Sequence, residues 1–117
     1  MHIKVLALHC TLNDEIDKDE VFLKYEGKKL WPGGPYKSVN SGEKKAVEKE
    51  FVHKADHDMV VELWDFDFLS KNDLLGTFTM HVEEEDRAST YFTTMKVAKE
   101  GSTASYMLEW EIIKRVV

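Results

Sequence analysis

The side chains best suited to chemistry are the carboxylates at residues 65–73. Asp65, Asp67 and Asp73 take the first, third and ninth positions of this run. Apolar runs of β-strand type precede and follow it directly. A loop between two strands can turn several oxygens towards one point, and Ca²⁺ binds about six to eight oxygens at about 2.3–2.6 Å. The spacing therefore predicts a calcium-binding loop, which we call loop B (residues 65–73).

The excess negative charge of the chain is confined to two short segments. The sequence holds 22 Asp and Glu against 16 Lys and Arg, a formal net charge of −6. Residues 14–20 hold five acids and one base, and loop B holds three acids and one base, so these segments account for the whole excess. Acids in loops are often only solvated, but concentrated like charge destabilises a fold unless a cation relieves the repulsion. The distribution favours a metal site.

Length and composition predict one globular domain, residues 1–117. The chain is 43% apolar, and no apolar stretch approaches the ~20 residues of a membrane span. Cys10 is the single cysteine, so no internal disulfide forms, and the first residues read as a strand rather than as a secretory signal. We expect a cytoplasmic protein, although a chain trimmed of a leader would look the same.

Alternating apolar residues predict β-strands along the whole chain. Tyr106, Leu108, Trp110 and Ile112 share one strand face, and β-branched and aromatic residues dominate the other apolar runs. The predicted strands cover residues 3–10, 21–25, 29–31, 46–53, 59–66, 74–82, 90–97 and 106–113. Eight short strands separated by turn signals predict an all-β, eight-stranded antiparallel β-sandwich.

The strand order predicts which connections lie together. In an up-and-down antiparallel arrangement, the first, third, fifth and seventh connections share one end of the sandwich. These are loop A (residues 11–20), residues 32–45, loop B and loop C (residues 98–104). Both acidic segments are therefore expected at the same end, as a shared metal site requires.

Residues 63–76 resemble the third calcium loop of the C2 domain family. The matching sequence is Leu-Trp-Asp-Phe-Asp-Phe-Leu-Ser-Lys-Asn-Asp-Leu-Leu-Gly, nearly position for position. The resemblance implies a C2 fold in which Asp65, Asp67 and Asp73 ligate Ca²⁺ and Ser70 contributes an oxygen. Gly76 matches the glycine that follows this loop in the family.

Loop A departs from the family pattern, in which an Asp precedes Pro-Tyr-Val and another Asp lies six residues earlier. Asp19 takes the first place, but Glu20 stands where Pro is usual, and Asp14 lies only five residues back. The resemblance implies Asp19 and Asp14 as ligands, with Asp17 and Asn13 as alternatives. Since the chain starts with the strand before loop A and ends with an extra strand, it also implies the permuted, phospholipase-like topology.

An EF-hand shares the carboxylate spacing of loop B but fails elsewhere. Position 5 of the loop would be Leu69, position 6 would be Ser70 in place of Gly, and position 12 would be Gly76 in place of the bidentate Glu. The flanking runs are strands, whereas an EF-hand needs helices.

Apolar residues occur among the acids of both loops. Phe68 and Leu69 lie at the tip of loop B, and Ile16 lies between two acids of loop A. They either pack back on the domain or enter a membrane once Ca²⁺ has neutralised the loops. The C2 resemblance favours contact between these three residues and anionic phospholipid.

Catalytic constellations are absent from the sequence. His53 and His57 fall in a predicted turn, Cys10 has no visible histidine base, and Gly33-Gly34 leads into no helical pattern. The net negative charge argues against nucleic-acid binding. We expect a binding module rather than an enzyme.

Three functions follow from these patterns. The leading one is a calcium-binding C2 module that docks to anionic phospholipid membrane through its calcium loops. The alternatives are a calcium-stabilised protein-interaction module without membrane binding, and a carbohydrate-binding β-sandwich with structural calcium.

Overall fold

The computed structural model describes residues 1–15, 18–83 and 87–113. Within these ranges the regular structure consists of ten strands: β1 (His2–Leu12), β2 (Asp19–Tyr25), β3 (Lys28–Trp31), β4 (Lys37–Val39), β5 (Lys44–Val52), β6 (His57–Asp65), β7 (Asp73–Val82), β8 (Thr90–Thr94), β9 (Lys96–Val97) and β10 (Ser105–Ile113). No helix among the described residues has the length and apolar character to cross a bilayer. The predicted all-β class is confirmed, with ten strands in place of eight.

The strands form two antiparallel sheets that pack face to face. Sheet I has the order β5-β1-β10-β8, and sheet II has the order β3-β2-β6-β7-β9, with β4 also paired to β2. The first and last strands of the described chain, β1 and β10, are neighbours in sheet I. The predicted sandwich is confirmed, while the permuted, phospholipase-like order stays a prediction.

One additional strand, β4, lies inside the long connection predicted for residues 32–45. Both β3 and β4 pair with β2, β3 with its second half and β4 with its first. The segment between them contains Pro32 and Pro35, which have no backbone N–H to donate to a ladder. The chain therefore leaves β2 over this segment and returns to it at Lys37.

The other additional strand arises because the predicted strand at residues 90–97 divides at Met95. β8 pairs with β10 in sheet I, whereas β9 pairs with Gly76 and Thr77 of β7 in sheet II. Met95 is buried at the crossing, and its N–H donates to the carbonyl of Tyr106 (2.9 Å). A Cβ at Gly76 would overlap the Met95 side chain and the Lys96 carbonyl, so the crossing requires glycine at that position.

Alternate residues of the strands form the core between the sheets. In β10 the predicted inward face, Tyr106, Leu108, Trp110 and Ile112, is buried. Full burial of a large apolar side chain stabilises the fold by roughly 1.5–3 kcal/mol. Because these residues hold both sheets in register, they also fix where the strands end and the loops begin.

Strand direction gathers loops A, B and C at one end of the sandwich. β1 and β6 run towards this end, and β2 and β7 run away from it. Val21 lies opposite Asp65 in the β2–β6 ladder, so loops A and B are also side-by-side neighbours. The predicted meeting of the two acidic segments is confirmed.

Candidate metal centre

Asp19 lies at the start of β2 and is fully buried. Its Oδ1 accepts the backbone N–H of Glu15 (2.9 Å), and its Oδ2 accepts the N–H of Asp14 (2.8 Å). The Tyr106 hydroxyl also donates to Oδ2, and burial followed by this bond raises the pKa of Tyr106. The Asp19 carboxylate thus holds the backbone of loop A against β10.

Asp65 ends β6 and is only 8% exposed. Its Oδ1 accepts the backbone N–H of Glu20 (3.1 Å), and the N–H of Phe66 donates to the Glu20 carbonyl (2.6 Å). Burial, a hydrogen bond with Glu15 and the charges of Glu15 and Asp19 raise the pKa of Asp65 to about 7. Carboxylates of both loops therefore crowd one point, where a cation would favour their charged forms.

Asp67 organises the interior of loop B. Its Oδ1 accepts the N–H of Leu69 (2.8 Å), and its Oδ2 accepts the Ser70 hydroxyl (2.7 Å). The Asp67 N–H donates to Oδ1 of Asn72 (2.9 Å). The bond from Ser70, followed by that from Leu69, lowers the pKa of Asp67 and keeps it ionised.

Asp14 of loop A and Asp73 of loop B face the same lysine. Nζ of Lys99 in loop C lies 3.9 Å from Oδ2 of Asp14 and 3.7 Å from Oδ2 of Asp73. Oδ1 of Asp14 accepts the Ser102 hydroxyl (2.8 Å). Loop C thus contributes a cation and a donor to the acidic end.

An open pocket of about 290 Å³ lies between loops A and B. Its lining combines acidic and apolar side chains: Glu15, Glu20, Asp65, Asp67 and Asp73 with Phe66, Phe68 and Leu69. Three predicted ligands, Asp65, Asp67 and Asp73, therefore share one pocket. The predicted ligands Asp14, Asp19 and Ser70 lie beside it without lining it.

Two solved structures share this architecture. One, described as a C2 domain, covers 94% of this chain and 93% of its own, with a TM-score of 0.55 and 14% identity. The other, a C2 domain of plant extended synaptotagmin 1, covers 93% of this chain and 89% of its own, with a TM-score of 0.57 and 12% identity. The chain has the C2 fold. No family model and no curated protein matches the sequence.

The predicted resemblance is thus confirmed at the level of the C2 fold. At these identities the likeness concerns the backbone alone, so the chemistry of this C2-fold domain depends on its own side chains. The pocket offers only carboxylate oxygens and nearby hydroxyls, which suit a hard cation such as Ca²⁺. Within the described ranges, no three acidic, histidine or cysteine side chains converge closely enough to hold an ion as they stand.

The apolar tip of loop B differs between its two residues. Leu69 is 98% exposed, whereas the 75% exposed Phe68 packs edge-to-face against Phe66, with ring centroids 4.8 Å apart. Tyr36 stacks on Phe66 (5.3 Å) and also meets the edge of Phe68 (6.3 Å). Phe68 is therefore supported by the domain but still presented to solvent.

Several residues of this end were not singled out in the sequence. Glu15 and Glu20 belong to the acidic segment of loop A, so their charge was a signal, but nothing local ranked them above their neighbours. Lys99 and Tyr36 lie far from the carboxylates in sequence, and only strand pairing brings them close.

Two residues named in the sequence, Ile16 and Asp17, lie outside the described residues. The alternative ligand Asn13 uses its amide to donate to the Glu15 carbonyl (2.8 Å), and its Oδ1 accepts the Ser41 hydroxyl (2.6 Å).

Proposed function

We propose that this C2-fold domain binds Ca²⁺ between loops A and B and then docks to anionic phospholipid membrane. The observation that carries the proposal is the buried Asp65 carboxylate. It shares a pocket with four other acidic side chains, and the exposed Phe68 and Leu69 lie on the same lining. An ion in this pocket would relieve the crowding that raises the pKa of Asp65.

Asp65, Asp67 and Asp73 are the ligands that loop B would supply, with Ser70 as a further oxygen donor. Asp14 and Asp19 are the ligands proposed from loop A. Because Asp67 and Asp19 accept hydrogen bonds from the loop backbones, they can hold both loops in shape while they contact the ion. Calcium supplies positive charge that bridges the two loops.

Neutralising the acids is what makes contact with the membrane favourable. An anionic surface repels uncompensated carboxylates within about 10 Å at ordinary ionic strength. Once the charge is balanced, Leu69 and Phe68 are free to enter the interface. Their exposure is consistent with this step, because burial of an exposed apolar side chain stabilises the bound state.

Sedimentation with lipid vesicles tests the proposal. We expect the protein to pellet with phosphatidylserine vesicles in millimolar Ca²⁺ and to remain in the supernatant in chelator. Phosphatidylcholine vesicles serve as the neutral-charge control. A protein that binds Ca²⁺ in calorimetry but ignores phosphatidylserine would retain the ion site and point to a protein partner. A protein that binds no Ca²⁺ contradicts the proposal.

A further inference from the structure

Loop C brings a lysine to the acidic end of the sandwich. Nζ of Lys99 lies 3.9 Å from Asp14 of loop A and 3.7 Å from Asp73 of loop B. Both distances are longer than a direct hydrogen bond, so the contact is one of charge with charge. The ammonium group therefore sits between the two loops that carry the excess negative charge.

The backbone of loop C places Lys99 there. At its start, the Ala98 N–H donates to the Leu75 carbonyl of β7 (2.9 Å). Farther along, the Ser102 N–H donates to the Lys99 carbonyl (3.2 Å), and the turn includes Gly101 at a φ of +80°, a conformation that suits glycine. The Ser102 hydroxyl then bonds Asp14 (2.8 Å), so loop C is tied to both sheet II and loop A.

Lys99 has a distinct electrostatic position. In the described part of the chain, its two ion pairs are the ones that join a lysine or arginine to carboxylates of loops A and B. Its side chain is 50% exposed and has room to swing into solvent. An ammonium at this place stabilises the carboxylates in the absence of an ion and repels a divalent cation that approaches them.

We infer that Lys99 is a tethered counter-cation of the proposed calcium site. It neutralises Asp14 and Asp73 when no ion is bound, and it has to move away or tolerate repulsion when Ca²⁺ binds. Lys99 therefore lowers the calcium affinity and sets the concentration at which the domain responds. This inference rests on the proposed function, because it concerns regulation of the same site.

Calorimetric titration of Ca²⁺ into three variants tests the inference. Lys99→Gln removes the charge and should bind Ca²⁺ about threefold to tenfold more tightly, as expected for losing a positive charge some ångströms from a divalent ion. Lys99→Arg keeps the charge and should retain the parent affinity. Lys96→Gln is the matched control, because it makes the same change of net charge at an exposed position of β9 three residues away.

A melting curve in chelator separates this role from a structural one. Lys99→Gln should melt at a lower temperature than the parent in chelator and show a larger calcium-induced rise. A residue that merely braces the loops would lower calcium affinity when replaced. Unchanged or weaker calcium binding by Lys99→Gln therefore overturns the inference and leaves the proposed function standing. Absence of calcium binding by the parent overturns both.

Discussion

The backbone N–H of Glu20 donates a hydrogen bond to the carboxylate of Asp65 (3.1 Å), and this bond joins loop A to loop B. Glu20 stands where the C2 resemblance places a proline, which has no N–H to donate. The departure from the family pattern therefore adds a contact between the two acidic loops. It also gives the buried Asp65 carboxylate a donor that favours its charged form.

The first prediction replaces Glu20 by proline. Glu20→Pro removes the donor to Asp65, and a hydrogen bond to a charged group contributes roughly 1.5–3 kcal/mol. We expect the free energy of unfolding in chelator to fall by about 1–3 kcal/mol, measured by urea denaturation. Glu20→Ala keeps the N–H and is the control. Equal losses in both variants would show that the side chain, not the N–H, matters.

The second prediction concerns pH. The pKa of Asp65 is about 7 in the folded protein and about 3.9 in the unfolded chain, so the folded state binds more protons between these values. Stability in chelator should therefore fall as pH rises from about 4 to about 7, by up to ~1.4 kcal/mol per pH unit from this group. Below about pH 4 both states are protonated and the contribution vanishes.

Asp65→Asn isolates that contribution from the other carboxyls. The variant should be more stable than the parent in chelator at pH 8, by about 1–3 kcal/mol, and the difference should shrink towards pH 4. It should also lose most calcium binding. A parent and variant whose urea midpoints change in parallel from pH 4 to pH 8 would contradict the assigned pKa.

The third prediction is that Ca²⁺ raises the melting temperature. A ligand that binds only the folded state adds RT ln(1 + [L]/Kd), ~2.7 kcal/mol at a hundredfold excess over Kd. Mg²⁺ should do much less, because it prefers a tight octahedral shell and dehydrates reluctantly. Scanning calorimetry in Ca²⁺, in Mg²⁺ and in chelator measures the effect. Superimposable curves in Ca²⁺ and chelator would remove the site.

The fourth prediction ranks two ligands. Asp67→Asn removes a charge from the middle of loop B at nearly constant shape and should abolish most calcium binding. Asp14→Asn should weaken it only partly, because Asp14 lies beside the pocket and its loop is one residue short. Calorimetric titration gives both affinities. Asp56→Asn in the turn at the opposite end controls for the charge change, and a loss for Asp14→Asn as large as for Asp67→Asn would contradict the ranking.

The fifth prediction separates membrane docking from ion binding. The double variant Phe68→Ser, Leu69→Ser should keep the calcium-induced rise in melting temperature and lose calcium-dependent sedimentation with phosphatidylserine vesicles. Each side chain can contribute up to ~1.5–3 kcal/mol on full burial, and Phe68 less, since it already rests on Phe66.

A matched control makes that result interpretable. Phe92 and Val52 are also exposed, but they lie on β8 and at the far end of β5. Phe92→Ser, Val52→Ser should therefore sediment like the parent. If the loop B variant binds vesicles as tightly as the parent, the membrane mechanism is wrong.

The sequence by itself determined the sandwich and the end at which its acidic loops meet. Alternation in β10 predicted the buried face of Tyr106, Leu108, Trp110 and Ile112, because whether a strand residue faces the core repeats every two positions along the chain. The number of strands then predicted that loops A and B share an end. Both are properties that local pattern and chain order carry.

Only the tertiary structure decided which side chains meet at that end. The contact of Lys99 with Asp14 spans three connections, the Tyr106 hydroxyl reaches Asp19 from the last strand, and the chain changes sheets at Met95. Such contacts depend on which distant strands pair and in what register. No local spacing contains that information, because it arises when two sheets bury their inner faces together.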